Sequence, residues 1–176
     1  MRKLKITELN RLTPEAFKES IKIPLIVVLD NIRSLNNVGS VFRTSDAFKV
    51  EAIYLCGITA CPPNADIHKT ALGAEDTVDW EYFEHTLSAV DNLRDNGYTL
   101  CAVEQAEGSI MLDTLQLDCN KKYAIIMGNE VKGVQQAVID ACDHCIEIPQ
   151  YGTKHSLNVS VTTGIVLWDC FKQLSK

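Results

Sequence analysis

The chain has 176 residues, of which 46% are hydrophobic and 23% charged, with a formal net charge of −6. That is enough for one domain with a full hydrophobic core and too little for two, and the balance excludes disordered, fibrous and disulfide-stapled classes. No apolar run approaches the roughly 18–20 residues of a membrane span. The opening stretch MRKLKITELNRL lacks the apolar centre of a signal peptide, so the expected location is the cytoplasm.

Seven cysteines without a secretory leader predict free thiols. Cys142 and Cys145 bracket His144, but a structural zinc site needs a second close pair, and Cys56 and Cys61 are too loosely spaced to supply one. No metal is expected. The charge is uneven: residues 1–22 carry six basic residues against three acidic ones, a net +3 on a body of −9. The chain therefore divides into a basic arm, 1–22, and one domain, 23–176. A basic arm on an acidic body is compatible with a polyanionic partner and equally with a solvated face.

Taken in order, Thr13-Pro14 is a cap followed by the favoured first-turn proline and predicts a short helix to about Ser20. Pro24 introduces LIVVLD, a continuous apolar run of strand length that suits a strand buried on both faces. A helix is expected from Asn37 to about Phe48, then a strand over residues 52–57. A short helix DIHKTAL stops at Gly73, and residues 77–80 suggest a brief strand. A helix from Thr86 to about Asp95 stops at Asn96-Gly97. YTLCAVE and YAIIMG are further strands, Val134 to about Cys142 a helix, and HCIEIP a last strand. Strands alternating with helices predict an α/β domain with a mostly parallel sheet.

Residues 147–171 close the domain with a helix. Leu157, Val161, Gly164, Trp168 and Phe171 recur at helical spacing and read as its buried face, with Val159, Thr162, Thr163, Val166 and Cys170 opposite. A helix apolar nearly all round must be covered nearly all round, here by its own sheet and by another subunit. Ser156 and Asn158 are expected in its first turn, where unpaired N–H groups suit an anion, although Ser156 also reads as a plain N-cap.

In parallel sheets ligands sit beyond the carboxyl ends of the strands. Three polar clusters fall there. Residues 30–48 hold Asn37 and Arg43, with Gly39 between them to allow a sharp turn into the helix; Arg43 is suited to a two-pronged grip on phosphate, or to a salt bridge with Asp46 or Glu51. Residues 127–134, MGNEVKGV, place two glycines and Glu130 directly after a strand, where backbone can approach a ligand. The start of the last helix is the third. Neither the G-x-G-x-x-G nor the P-loop fingerprint occurs, which disfavours a nucleotide-binding oxidoreductase.

Together these stretches resemble the SpoU/TrmH family of RNA 2′-O-methyltransferases within the SPOUT superfamily. Asn37 to Arg43 matches its N-x5-R motif; Gly128, Glu130 and Gly133 its G-x-E-x-x-G motif; and Ile148, Pro149, Ser156, Leu157, Asn158, Val159 and Ser160 its I-P…S-L-N-V-S motif, while residues 69–75, KTALGAE, also have a family counterpart. The resemblance implies a C-terminal deep trefoil knot, S-adenosylmethionine as cofactor, and a homodimer packed through the last helix with active sites drawn from both subunits. It implies Val103, Glu104, Gly128, Ile148 and Leu157 as cofactor-binding residues, and Asn37, Arg43, Glu130, Ser156 and Asn158 as catalytic residues acting on a ribose 2′-hydroxyl of tRNA or rRNA. In the family the arginine is assigned as proton acceptor. A guanidinium is almost always protonated, so the physical alternative is that Arg43 grips a phosphate and lowers the hydroxyl's pKa, anchored by Glu130, while Ser156 and Asn158 orient the ribose. A catalytically silent RNA-binding protein and an RNA base methyltransferase of the same superfamily are the alternatives.

Overall fold

Strand β1 (Ile23–Asp30) lies inside a seven-stranded sheet, third from one edge, and sends its side chains to both faces. Leu25, Val27 and Leu29 enter one cluster with Val38, Phe42, Ile67 and Leu167. Ile26 and Val28 enter another with Ala89, Val90, Leu93 and Val138. This alternation is why the run is continuously apolar: both faces of the sheet are covered. The computed structural model describes residues 1–175, and every side chain among them except that of Ile6. Lys176, the last residue of the expected domain, lies outside the described residues.

The remaining strands are β2 (Val50–Cys56), β3 (Asp79–Phe83), β4 (Tyr98–Val103), β5 (Ile110–Met111), β6 (Lys122–Met127) and β7 (His144–Glu147). The helices are α1 (Pro14–Glu19), α2 (Leu35–Ala47), α3 (Ala65–Ala71), α4 (Ala74–Thr77), α5 (Thr86–Asp95), α6 (Gln136–Asp140) and α7 (Val159–Leu174). The sheet order is β3-β2-β1-β6-β4-β7-β5, and every neighbouring pair is parallel. Helices α2, α3 and α7 cover one face, α5 and α6 the other. The expected α/β architecture with a parallel sheet is the one observed. Among the described residues no helix is long and apolar enough to cross a membrane.

Several boundaries differ from expectation. Helix α2 begins two residues earlier, because the Ser34 hydroxyl caps it by accepting from the Asn37 N–H at 3.3 Å. Gly39 is therefore not a turn residue but lies inside the helix, where a Cβ would sit 2.2 Å from the Ile67 carbonyl oxygen and the Thr70 hydroxyl. It lets α2 approach α3. Thr77 ends a helix instead of starting a strand, α6 is a single short turn, and β5, two residues long, carries no sequence pattern of its own.

Helix α7 departs most. Its N-cap is Asn158, whose Oδ1 accepts from the N–H groups of Ser160 and Val161 at 2.9 and 3.4 Å. Ser156 lies before the cap, neither in the first turn nor capping it. The faces are also exchanged. Val159, Thr163, Val166, Leu167, Cys170 and Leu174 are buried, while Val161 and Trp168 are 51% and 52% exposed. A helix that is apolar on both sides carries no periodic signal saying which side meets its own sheet.

Candidate active site

The sheet reverses its order where β6 inserts between β1 and β4, and a cavity of about 1100 Å3 opens beyond the carboxyl ends of β4, β6 and β7. This is where parallel sheets hold ligands. Val103, Glu104, Gly128, Ile148 and Leu157, the expected cofactor residues, all line it, as do Glu130, Ser156 and Asn158. Asn37 stands directly behind Glu130 and Asn158, bonded to both. Arg43 is not among the lining residues.

The floor of the cavity is a tight turn after β6. Asn129 and Gly133 exchange backbone hydrogen bonds at 3.0 and 2.9 Å, and the Asn129 side chain accepts from the N–H groups of Val131 and Lys132 at 2.9 and 3.1 Å. Gly133 has φ +68°, and a Cβ there would meet Glu104 Oε2 at 2.0 Å. A Cβ on Gly128 would meet the Val134 nitrogen at 2.2 Å. Gly128 lets the turn close on itself, and Gly133 lets it press against Glu104 just after β4. The turn is held from below by Asp30, which is fully buried at the end of β1. Its carboxylate accepts from Thr86 Oγ1 at 2.6 Å, Asn31 Nδ2 at 2.8 Å, Gln135 Nε2 at 2.8 Å and the Gln135 N–H at 3.1 Å. The run LIVVLD showed an acid at a strand end; nothing in its neighbourhood showed this role.

Glu130 was expected to anchor Arg43, and it does not. Its carboxylate accepts from the N–H groups of Arg33 and Ser34 and from Asn37 Nδ2, each at 3.0 Å. It therefore fixes the start of α2, where acidic groups meet unpaired N–H donors. Asn37 in turn accepts from Asn158 Nδ2 at 3.2 Å, so one polar chain joins the turn after β6 to the starts of α2 and α7. Burial pushes the Glu130 carboxyl up, but the Arg33, Ser34 and Asn37 donors outweigh it and leave the group below its ordinary value of 4.5. Glu75 behaves alike: burial raises it, and its own N–H, His68 Nδ1 and the Gly73 N–H lower it further than burial raises it.

Depressed carboxyl values mean that the unfolded chain binds protons more readily than the folded one, so stability from these groups is present above about pH 4.5 and is lost as pH falls through the folded-state values. The urea midpoint should therefore drop on going from pH 6 to 3, and less so in Glu130→Gln. Parallel pH profiles for the two proteins would contradict this.

Arg43 is exposed and forms no ion pair or hydrogen bond among the described residues, so the alternative of a bridge to Asp46 or Glu51 is absent. Six residues along a helix turn the direction by about 240°, so Arg43 leaves α2 from a different side than Asn37. Ser156 is exposed at the cavity wall. All seven cysteines are free, and burial pushes the Cys142 thiol up to about 12. No group of metal-binding side chains occurs among the described residues.

A doubly wound α/β domain with an open cavity at its reversal point is the class that fold and site define. Residues 24–168 match the SpoU rRNA Methylase family, and the chain belongs to that family. It is 33% identical over 173 residues to the 23S rRNA (guanosine-2′-O-)-methyltransferase RlmB of Nitrosomonas europaea, covering 97% of this chain and 65% of that protein. An AdoMet-bound rRNA methyltransferase from Sinorhizobium meliloti superposes with a TM-score of 0.79 at 26% identity, over 92% of this chain and 60% of that one. The TrmH/SpoU tRNA modifying enzyme of A. aeolicus gives the same TM-score of 0.79 at 27% identity, over 92% and 80%. The chain thus spans just under two thirds of the length of this and other curated relatives it matches.

Proposed function

We propose that the chain is an S-adenosylmethionine-dependent RNA methyltransferase acting on a ribose 2′-hydroxyl of ribosomal or transfer RNA. The observation that carries this reading is the bonded chain Glu130–Asn37–Asn158, whose two ends line a cavity that all the expected cofactor residues also line. The cavity fits the cofactor. The lining is rich in acidic residues (Glu104, Glu107, Asp140, Glu147) with Lys132 the one lysine, which suits a sulfonium and not a pyrophosphate. Val103, Glu104, Gly128, Ile148 and Leu157 are the residues that would hold it, and when bound it supplies an electrophilic methyl group.

The chain's own residues then have to position a ribose and ease the loss of its hydroxyl proton. Glu130 already takes three donors, so it serves to hold Asn37 and the head of α2, not to receive the proton. Ser156 and Asn158 orient the ribose at the cavity wall. Arg43 clamps the neighbouring phosphate and favours the ionised hydroxyl. Its direction away from Asn37 supports a homodimer in which it completes the site across the interface. Val161, Ile165 and Trp168 form the exposed apolar stripe of α7 that such an interface would cover, extended by Phe48, whose ring lies 5.8 Å from that of Trp168. The expected trefoil knot belongs to this reading, supported by the return of α7 from β7 to pack against α2. So do the basic arm 1–22 as an RNA-capturing segment, domain 23–176 as the methyltransferase unit, and a cytoplasmic location.

Two measurements test this. Incubation with methyl-labelled S-adenosylmethionine and total RNA from cells lacking the gene, followed by nucleoside analysis, should give a labelled 2′-O-methyl nucleoside. A labelled base, or cofactor binding without label, would replace the ribose reading with the base-modifying or the silent RNA-binding one. Trp168→Glu should convert the dimer to a monomer by light scattering; an intact dimer would place the interface elsewhere.

A further inference from the structure

The segment 148–157 between β7 and α7 forms one wall of the cavity through Ile148, Gln150, His155, Ser156 and Leu157. Its ends are fixed: Ile148 packs on the core, and Asn158 caps α7 and bonds Asn37. Between those ends the chain is exposed, with Tyr151 at 95%. Among the described residues a single hydrogen bond reaches this segment from elsewhere, from Gln105 Nε2 to the His155 carbonyl at 2.6 Å. Gln105 itself stands on a firm base. Its N–H donates to Glu104 Oε1 at 2.9 Å, Glu104 Oε2 accepts from the Val134 N–H at 3.0 Å, and the Glu104 N–H donates to the Ile146 carbonyl at 3.1 Å.

We propose that Gln105 is a positioning residue that latches segment 149–157 as a gate over the cavity, so that breaking one side-chain hydrogen bond opens the route by which cofactor enters and spent cofactor leaves. A wall held by many bonds would open only with local unfolding; a wall held by one exposed bond opens readily, because such a bond contributes little net free energy against water. The donor is indispensable to the device and the carbonyl it holds is backbone, so the identity of residue 155 matters less than that of residue 105. The role in cofactor exchange rests on the cofactor reading above; the latching of the segment does not.

The experiment compares wild type with Gln105→Ala, Gln105→Glu and Gln105→Lys. S-adenosylhomocysteine dissociation is followed by stopped flow, and limited tryptic cleavage after Lys154, which lies in the exposed segment, is followed without any ligand. Gln105→Ala and Gln105→Glu, which cannot donate to a carbonyl, should release the ligand about three- to tenfold faster and be cut faster by a similar factor, with an unchanged melting temperature. Gln105→Lys, which restores a donor of similar reach, should return both rates toward wild type. Unchanged cleavage after Lys154 in Gln105→Ala, or equal behaviour of the alanine and lysine variants, would overturn the latch. Absence of S-adenosylhomocysteine binding in wild type with the cleavage pattern as expected would sink the cofactor reading and leave the latch standing.

Discussion

Arg43→Ala should lower methyl transfer by about 10²–10³-fold while leaving the fold intact. Arg43 is exposed and has no partner among the described residues, so its removal breaks no hydrogen bond or ion pair and the unfolding free energy should change by no more than about 0.5 kcal/mol. Its charge, by contrast, would act on a hydroxyl that must become an alkoxide as it attacks. Removing one well-placed donor from a developing oxyanion costs about 2.7–4 kcal/mol of barrier, which is the stated rate loss. Arg43→Lys should recover only part of it, because an ammonium keeps the charge but not the planar fork that meets phosphate with two bonds. Mixing Arg43→Ala with a variant inactive at Asn158 should restore about a quarter of the sites if Arg43 serves across the dimer. An Arg43→Ala protein at full rate would remove the residue from the mechanism.

Asp30→Ala should cost about 3–5 kcal/mol of stability, read as a fall in the urea midpoint at pH 7. The carboxylate is fully buried and answers four donors from three parts of the chain, so its loss leaves the buried Thr86 hydroxyl and the part-buried Asn31 and Gln135 amides and Gln135 N–H without their acceptor. Asp30→Asn keeps the shape but turns an N–H2 group toward those donors, and should recover less than half of the loss. Because Gln135 follows the Gly133–Val134 turn, both variants should also weaken cofactor binding. An unchanged midpoint in Asp30→Ala would contradict the account of how the cavity floor is held.

What was legible in the sequence was local. The continuous apolar runs of β1 and β6, the Thr13-Pro14 cap of α1 and the Asn96-Gly97 stop of α5 each carry their structure within a few residues. The three polar clusters could be placed at strand ends, and two of them meet as expected around one cavity. The partnerships inside the site were not legible, because they join distant segments. Glu130 meets Ser34 across 96 positions, Gln135 meets Asp30 across 105, and Asn158 meets Asn37 across 121. No window of sequence contains such a pair. Arg43 shows a subtler limit. It shares a motif with Asn37, yet the one helix that carries both turns them apart in direction, so the motif does not by itself bring them to one site. Which face of α7 meets the sheet was not legible for a related reason: Val161 and Trp168 are as apolar as Val166 and Leu167, and only the sheet decides between them.

The central claim is that the accepting atom is a ribose oxygen presented beside Asn37, Glu130 and Asn158. The most direct test takes the RNA identified by labelling and prepares it with a single 2′-deoxy nucleotide at the modified position. The account predicts that transfer at that position falls to background while the deoxy RNA still binds and competes with the natural one. Continued methylation of the deoxy RNA at that nucleotide would show that a base is the acceptor, and would contradict the account.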